Sequence, residues 1–291
     1  MKYLFLVLLT AFLVQCRTDP SDIPDYPSTI GTASTYSGEM QQIINVSSYD
    51  PKERQREGRG FSENDVSALA ANGSKGLIAR AGKGGKLDNK CVAFVSSADR
   101  AGMFPGLYYR VQKHVSPVTQ ADQFVDRAKS LAGSRDWSAP SLLLCGDYDG
   151  DLSLSAILRF MERVESRTGI VPVSYLENSQ ALKQLTSSAD SKTRQQLLRA
   201  PYWLALYSHT SGAETPEHLV KQYGLWPGWT MWQYGGVEWS SGASSPKVYS
   251  HGHYRNTTYF GNIDRPTERN VFKGSTTDLA AFWQKHGIAL K

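Results

Sequence analysis

Short apolar runs alternate with amphipathic segments over most of this 291-residue chain, and this alternation limits the folds that it can adopt. Gly76-Leu-Ile-Ala-Arg80 is typical of a buried strand, and Lys90 to Arg100 is typical of a helix. Gly106 to Val111 is typical of the next strand, and a segment with apolar residues at three- and four-residue spacing follows it. Strands separated by helices at this spacing favour parallel βαβ units that close into a barrel, which needs about 250 residues.

The same alternation continues further along the chain. Apolar runs recur at Leu142-Leu-Leu144, Val171-Pro-Val-Ser-Tyr175 and Tyr202-Trp-Leu-Ala-Leu-Tyr207, with helical patterns between them. After about Lys221 the pattern changes to strands and loops, and a terminal helix ends the chain. We therefore predict an α/β fold, a modified TIM-type barrel, for residues 41–291.

The N-terminus has the pattern of a targeting segment. Lys2 precedes an apolar run from Tyr3 to Val14, which is too short to span a bilayer comfortably, so we expect residues 1–16 to be a secretory signal peptide. A lipoprotein anchor on Cys16 is the alternative. Residues 17–40 are rich in Asp, Pro, Ser and Thr, which predicts a flexible linker.

Charge and cysteine content restrict the partners and cofactors. The formal charge of +5 is spread along the chain, so it is consistent with ordinary solubility or with contact to an anionic surface such as a bacterial wall. Cys91 and Cys145 could pair or stay free once Cys16 is lost or acylated, and the sequence leaves this open. No Cys/His spacing is typical of a zinc site. We expect no cofactor, no metal, no nucleic-acid partner, no transmembrane span in the mature chain, and a monomer.

Four motifs carry a resemblance to a known family. They are Ile44-Asn-Val-Ser-Ser-Tyr49, Leu142-Leu-Leu-Cys-Gly-Asp-Tyr-Asp149, Trp229-Thr-Met-Trp-Gln-Tyr234 and Gly261-Asn-Ile-Asp-Arg265. Strands that combine aromatic, amide and carboxylate side chains suit a saccharide cleft. The pattern resembles glycoside hydrolase family 25, the muramidases or Chalaropsis-type lysozymes. The resemblance implies a barrel with about five βα units followed by strands lacking regular helices.

The resemblance also implies four carboxylate positions, and two of them are substituted here. The Asp of the first strand falls on Asn45, and the Asp-x-Glu pair of the fourth strand falls on Cys145 and Asp147. The late Asp is kept as Asp264. A two-residue slip would instead place Asp147 and Asp149 on the pair. Asp147, like its neighbours in this turn-forming segment, could also serve as a turn or helix cap.

Aromatic and amide residues complete the predicted site. The resemblance implies the following substrate-binding residues: Asn45, Tyr109, Cys145, Tyr175, Trp232, Gln233 and Tyr234. Trp203 is expected in the core. A thiol nucleophile at Cys145 is an alternative without a supporting signature, and the glycine-rich segment Ala81 to Lys86 is expected to rim the cleft with two lysines.

These expectations combine into one functional hypothesis and two rivals. We expect a secreted, lysozyme-like hydrolase that cuts the N-acetylmuramic acid to N-acetylglucosamine linkage of peptidoglycan, with Asp147 as general acid and Asp264 as its partner. The substitutions predict weakened catalysis and imply that Asn45→Asp with Cys145→Asp should raise turnover. A non-catalytic glycan-binding pseudoenzyme and a wall-associated scaffold are the alternatives.

Overall fold

The computed structural model describes residues 39–50, 62–148, 152–177, 187, 189–206, 216–223, 226–238, 247–250 and 267–291. The strands are β1 Met40–Val46, β2 Ser74–Lys83, β3 Lys86–Leu87, β4 Phe104–Arg110, β5 Ser141–Asp147, β6 Val173–Glu177, β7 Tyr202–Ala205, β8 Met231–Glu238, β9 Lys247–Ser250, β10 Glu268–Lys273 and β11 Gly287–Ala289. The helices are α1 Glu63–Ala71, α2 Cys91–Arg100, α3 Pro117–Ala132, α4 Leu154–Thr168, α5 Ser191–Leu198, α6 Pro216–Tyr223 and α7 Thr276–Lys285.

Eight of these strands form a closed barrel in the order β1, β10, β8, β7, β6, β5, β4, β2, and β2 returns to β1. The pairs from β1 through β2, β4, β5, β6 and β7 to β8 are parallel. β10 is antiparallel to both β8 and β1. The predicted TIM-type barrel with helices between its strands is confirmed, since a helix follows each of the parallel strands before β8.

Helix boundaries follow from local capping chemistry. The side chains of Ser62 and Ser275 each accept a hydrogen bond from the backbone N–H of the third helical residue. The backbone N–H of each serine donates in turn to the Asp side chain of that residue, so both helices begin with a capping box. Ser153 caps α4 in the same way without the return bond, and Gly169 ends that helix at a φ of 74°, where glycine is favoured. Each such cap stabilises its helix by about 1 kcal/mol.

Because side chains alternate between the two faces of each strand, the barrel has one apolar layer inside it and another outside it. One cluster draws a buried residue from each of the eight barrel strands and therefore fills the barrel interior: Ile43, Ile78, Tyr108, Leu143, Cys145, Val173, Trp203, Met231 and Phe272. The other cluster lies between the outside of the barrel and the helices. Successive side chains of a strand point to opposite faces, so each strand contributes to both layers.

Helix α7 closes the barrel at the N-terminal ends of its strands. Trp283 is fully buried in the interior cluster, and its indole N–H donates to the carbonyl oxygen of Pro105 at 2.7 Å. A Cβ on Gly76 would lie 3.3 Å from the Trp283 ring, so the glycine allows this close packing. Because one end of the barrel is filled with apolar side chains, polar groups of the interior gather at the other end.

Within the described residues, no helix is both long and apolar enough to cross a membrane. In the same part of the chain, no group of three His, Cys, Asp or Glu side chains is arranged to hold a metal ion.

Candidate active site

Polar side chains from five strands meet at the C-terminal end of the barrel. All of them lie at inward-facing strand positions: Asn45 on β1, Asp147 on β5, Tyr175 on β6, Gln233 on β8 and Glu268 on β10. Asn45, Asp147 and Gln233 are almost fully buried, and Tyr175 is half-buried. In barrels of parallel strands this end carries the chemistry, because several strand ends converge there.

A directed network of hydrogen bonds joins the amides of this layer. The Tyr175 hydroxyl donates to Gln233 Oε1 at 2.7 Å, and Gln233 Nε2 donates to Asn45 Oδ1 at 3.0 Å. Asn45 Nδ2 in turn donates to the carboxylate of Glu268. Asn270 supports the network from below: its Nδ2 donates to Asn45 Oδ1 at 2.8 Å and its Oδ1 accepts from the Trp203 indole at 2.9 Å.

Glu268 is the acceptor at the end of this network. Besides the bond from Asn45, its Oε2 lies 3.5 Å from Gln233 Nε2. The antiparallel register places Glu268 directly opposite Asn45, so the two side chains share the inner face of the barrel. The sequence analysis missed this residue. The signal that could have found it is the spacing Glu268-x-Asn270, which puts two polar side chains on one face of a strand.

Asp147 ends β5 on the other side of the barrel mouth. Its Oδ2 lies 4.0 Å from Arg110 Nη1 on the neighbouring strand β4. The Asp147 carboxylate is only 7% exposed, whereas the Arg110 side chain is 37% exposed, so the pair lies at the border between the interior and solvent.

Tyr108 lies within electrostatic reach of both carboxylates. Burial raises the pKa of its phenol well above the usual value, and the negative charges of Glu268 and Asp147 act in the same direction, against the opposing effect of Arg80. The phenol therefore stays protonated and can donate a hydrogen bond at this end of the barrel. The sequence analysis assigned the site to its neighbour Tyr109.

Three residues predicted to bind substrate face the wrong way for that role. Tyr109, Trp232 and Tyr234 are fully buried in the layer between the barrel and the helices. The Tyr109 hydroxyl donates to Gln123 Oε1 at 3.0 Å, and the Trp232 indole donates to the Leu206 carbonyl at 2.8 Å. The placement of these three side chains in the cleft was wrong, because each adjoins an inward-facing residue and so points outward.

Cys145 lies one layer below the site. Its side chain is fully buried among apolar residues of the barrel interior, and burial raises the pKa of its thiol well above the usual value. It is thus a neutral packing residue, and the structure contradicts its predicted contact with substrate and its alternative role as a nucleophile. Cys91 lies in the outer layer, and both thiols are free.

Other predicted residues lie outside the described part of the chain. These are Cys16, Asp149 and Asp264. Trp203 is buried in the barrel interior as predicted, and its ring is nearly perpendicular to that of Tyr175, with 5.0 Å between centroids.

A closed barrel with two carboxylates, a buried phenol and an amide network at the C-terminal ends of its strands is an arrangement that suits a barrel glycoside hydrolase. The sequence profile described as glycosyl hydrolases family 25 matches residues 55–243. The chain belongs to this family, whose lysozymes and muramidases act on peptidoglycan. The resemblance that the motifs indicated is confirmed.

Solved structures of family members have the same fold. A lysozyme from Streptomyces coelicolor is 20% identical, with a TM-score of 0.57 over 86% of this chain and 99% of that chain. A muramidase from Trichobolus zukalii is 20% identical, with a TM-score of 0.54 over 84% of this chain and 99% of that chain. The spore cortex lytic enzyme SleM of Clostridium perfringens is 22% identical, with a TM-score of 0.53 over 82% and 69%. None of the curated proteins searched by sequence matches the chain.

Proposed function

We propose that this protein is a secreted, lysozyme-like glycoside hydrolase that cleaves the N-acetylmuramic acid to N-acetylglucosamine linkage of peptidoglycan, with weakened catalysis. The observation that carries the proposal is the placement of Asp147 and Glu268. Their strands, β5 and β10, are four positions apart in the ring of eight, and both carboxylates act on the phenol of Tyr108. Two carboxyl groups facing each other across a cleft are what glycoside hydrolysis requires.

Asp147 is the proposed general acid, which protonates the leaving oxygen. Glu268 is the proposed partner, which stabilises the positive charge at the sugar carbon or orients the acetamido group of the substrate. Asn45, Tyr175 and Gln233 would hold sugar hydroxyls through their amide and phenol groups. Asp264 stays a second candidate for the partner role.

Three features support weak rather than full activity. Asn45 carries no charge and cannot balance a developing cation, and the neutral thiol of Cys145 cannot replace a carboxylate. The side chain of Asp147 is one methylene shorter than the Glu that the family uses, and misplacement of about 1 Å can cost about 10²-fold in rate.

A non-catalytic peptidoglycan-binding module is the second candidate. The observation that favours it is the saturation of the amide network, because Asn45 uses both ends of its amide within the protein. Such a network would form a rigid floor for a bound glycan without taking part in hydrolysis.

The N-terminal assignments belong to the same proposal. Residues 1–16 would direct secretion, residues 17–40 would act as a linker, and residues 41–291 would form the catalytic domain, which we expect to be monomeric. An acylated Cys16 would instead keep the protein at the cell surface. The mass of the mature protein distinguishes cleavage after Cys16 from acylation of that cysteine.

The test combines hydrolysis and binding on purified peptidoglycan. New reducing ends and co-sedimentation are measured for the wild type, Asp147→Asn, Glu268→Gln and Asp264→Asn. Asp126→Asn serves as a matched control, since its side chain is 65% exposed on α3 and pairs with Arg167 away from the barrel mouth.

We expect Asp147→Asn and Glu268→Gln each to lose about 10²-fold or more of the wild-type rate and to keep binding, as for other groups that stabilise a transition state. Asp126→Asn should match the wild type. A loss in Asp264→Asn instead of Glu268→Gln would transfer the partner role to Asp264. Binding without hydrolysis by the wild type would establish the second candidate, and neither binding nor hydrolysis would leave only a scaffold.

A further inference from the structure

A cationic hairpin extends the barrel wall beside the proposed site. β2 continues past the barrel, turns at Gly84 and Gly85, and pairs back through β3, so that Lys83 lies opposite Lys86. On its other side Lys83 pairs with Arg110 of β4, and Arg110 pairs with Asp147 of β5. The three cations therefore occupy adjacent positions that begin next to the proposed general acid.

The hairpin is held in a fixed conformation. Gly84 and Gly85 have positive φ values of 53° and 85°, which glycine adopts without strain. The N–H of Gly85 donates to the Tyr109 hydroxyl at 2.9 Å, and the carbonyl of Gly85 accepts from Gln123 Nε2 at 3.2 Å. Tyr109, which points away from the cleft, thus anchors the tip of the hairpin. A preorganised surface loses little entropy when a ligand binds.

The charge pattern of the hairpin is unusual for a purely structural element. Like charges directly opposite each other in a strand pair are destabilising, yet Lys83 faces Lys86 and lies beside Arg110. In the described part of the chain, no carboxylate lies within ion-pair distance of Lys83 or Lys86. Lys86 is exposed, and Lys83 and Arg110 are half-exposed, so an external anion can reach all three.

We propose that Lys83, Lys86 and Arg110 form an anion-recognising arm that binds the carboxylates of the peptide stems on a glycan strand lying across the barrel mouth. The inference rests on the proposed function, because only a glycan seated at Asp147 brings its stems to this wall. Charge complementarity supplies the specificity: the arm distinguishes stem-bearing strands from bare glycan.

The test compares Lys83→Gln/Lys86→Gln with Lys75→Gln/Lys285→Gln in the full-length protein. Lys75 and Lys285 are exposed at the opposite end of the barrel, so the control variant loses the same net charge. Co-sedimentation is measured with purified peptidoglycan free of teichoic acid and with walls that keep teichoic acid. The third material is the same peptidoglycan after an amidase has removed its stems and carbodiimide coupling with ammonia has neutralised the lactyl carboxylates that the amidase exposes. Equal thermal unfolding midpoints verify that both variants are folded.

We expect Lys83→Gln/Lys86→Gln to weaken binding to stem-bearing peptidoglycan by about three- to tenfold, as for two partly screened ion pairs. Binding to stem-free glycan should not change, and the control variant should match the wild type on both. The proposal is wrong if Lys83→Gln/Lys86→Gln weakens binding equally to stem-bearing and stem-free glycan, or weakens binding to neither. A loss confined to walls with teichoic acid assigns the arm to phosphate and also overturns it. If the wild type binds none of the three materials, the proposed function itself fails.

Discussion

Replacing Asn45 with aspartate separates what the family resemblance implies from what the structure implies. The resemblance treats Asn45→Asp as restoration of a lost carboxylate and predicts a gain in turnover. In the structure, Asn45 Nδ2 donates to Glu268, so the substitution would set two carboxylates against each other in a buried site. We therefore expect Asn45→Asp to destabilise the protein at neutral pH.

The size of the effect follows from two competing costs. Two ionised carboxylates about 4 Å apart repel by about 4 kcal/mol at an effective dielectric constant of about 20. Protonating one of them at pH 7 costs about 3.7 kcal/mol from a reference pKa of about 4.3. The two costs are similar, and the lost hydrogen bond from Asn45 adds to either. A proton shared between the carboxylates recovers part of the loss, so we expect a net decrease of about 2–4 kcal/mol in the free energy of unfolding.

The sign of the pH dependence is fixed by linkage. The introduced carboxyl group, buried beside the carboxylate of Glu268, would have a pKa above that of an unfolded carboxyl group, so the folded variant binds more protons than the unfolded chain. The penalty should be nearly absent at about pH 4 and should grow as the pH rises toward neutrality. The wild type lacks this contribution.

Urea unfolding between pH 4 and 8 measures the effect, with Asn89→Asp as a control at an exposed position. The control should follow the wild type within about 0.5 kcal/mol at each pH. The opposite result is a free energy of unfolding for Asn45→Asp that lies within about 1 kcal/mol of the wild type at pH 7 and follows the pH profile of the control. In that case Asn45 does not donate a hydrogen bond to Glu268. A gain in turnover without loss of stability would favour the restoration argument instead.

Two further variants test the packing beneath the site. Asn270→Leu should lower the free energy of unfolding by about 2–5 kcal/mol, because it leaves the Trp203 indole N–H and the carbonyl of Ile43 without their buried partner, and urea unfolding against wild type measures this. Gly146→Ala should destabilise by at least about 1–3 kcal/mol, because its Cβ would lie 2.3 Å from the Tyr148 hydroxyl oxygen. Gly146→Ala should cost less in a Tyr148→Leu background, which lacks the hydroxyl and ring atoms that the Cβ would meet, than in the wild type. An equal cost in both backgrounds would contradict the proposed clash.

The structure also argues against Cys145→Asp, the second substitution that the family resemblance treats as restoring a lost carboxylate. Cys145 has no solvent exposure and packs with Val173 and Trp203 inside the barrel. A carboxylate at this position would be buried without a partner, at a cost of several kcal/mol. Sequence spacing alone could not reveal this, because it locates a residue along the strand but not its depth in the barrel.

The Trp232-Gln233-Tyr234 segment shows that the sequence alone also does not tell which face of the barrel wall a side chain points to. Its composition marked it correctly as a strand of the barrel, but three consecutive residues cannot all face one side. Parallel strands that are buried on both faces are apolar on both faces, so no alternation in the sequence tells which side is inside. Only the register against β7 and β10 shows that Gln233 points into the cleft.

The sequence by itself determined the barrel, the family and the strands of Asn45, Asp147 and Gln233, because these depend on local periodicity and on short motifs. Helix α2, for example, was predicted from Lys90 to Arg100 and runs over Cys91–Arg100. The tertiary structure decided which side chains meet: it brought Glu268 to Asn45 across 223 residues and set Asp147 on the opposite strand. The physical reason is that barrel closure fixes the direction and depth of every side chain at once, and no local pattern encodes that closure.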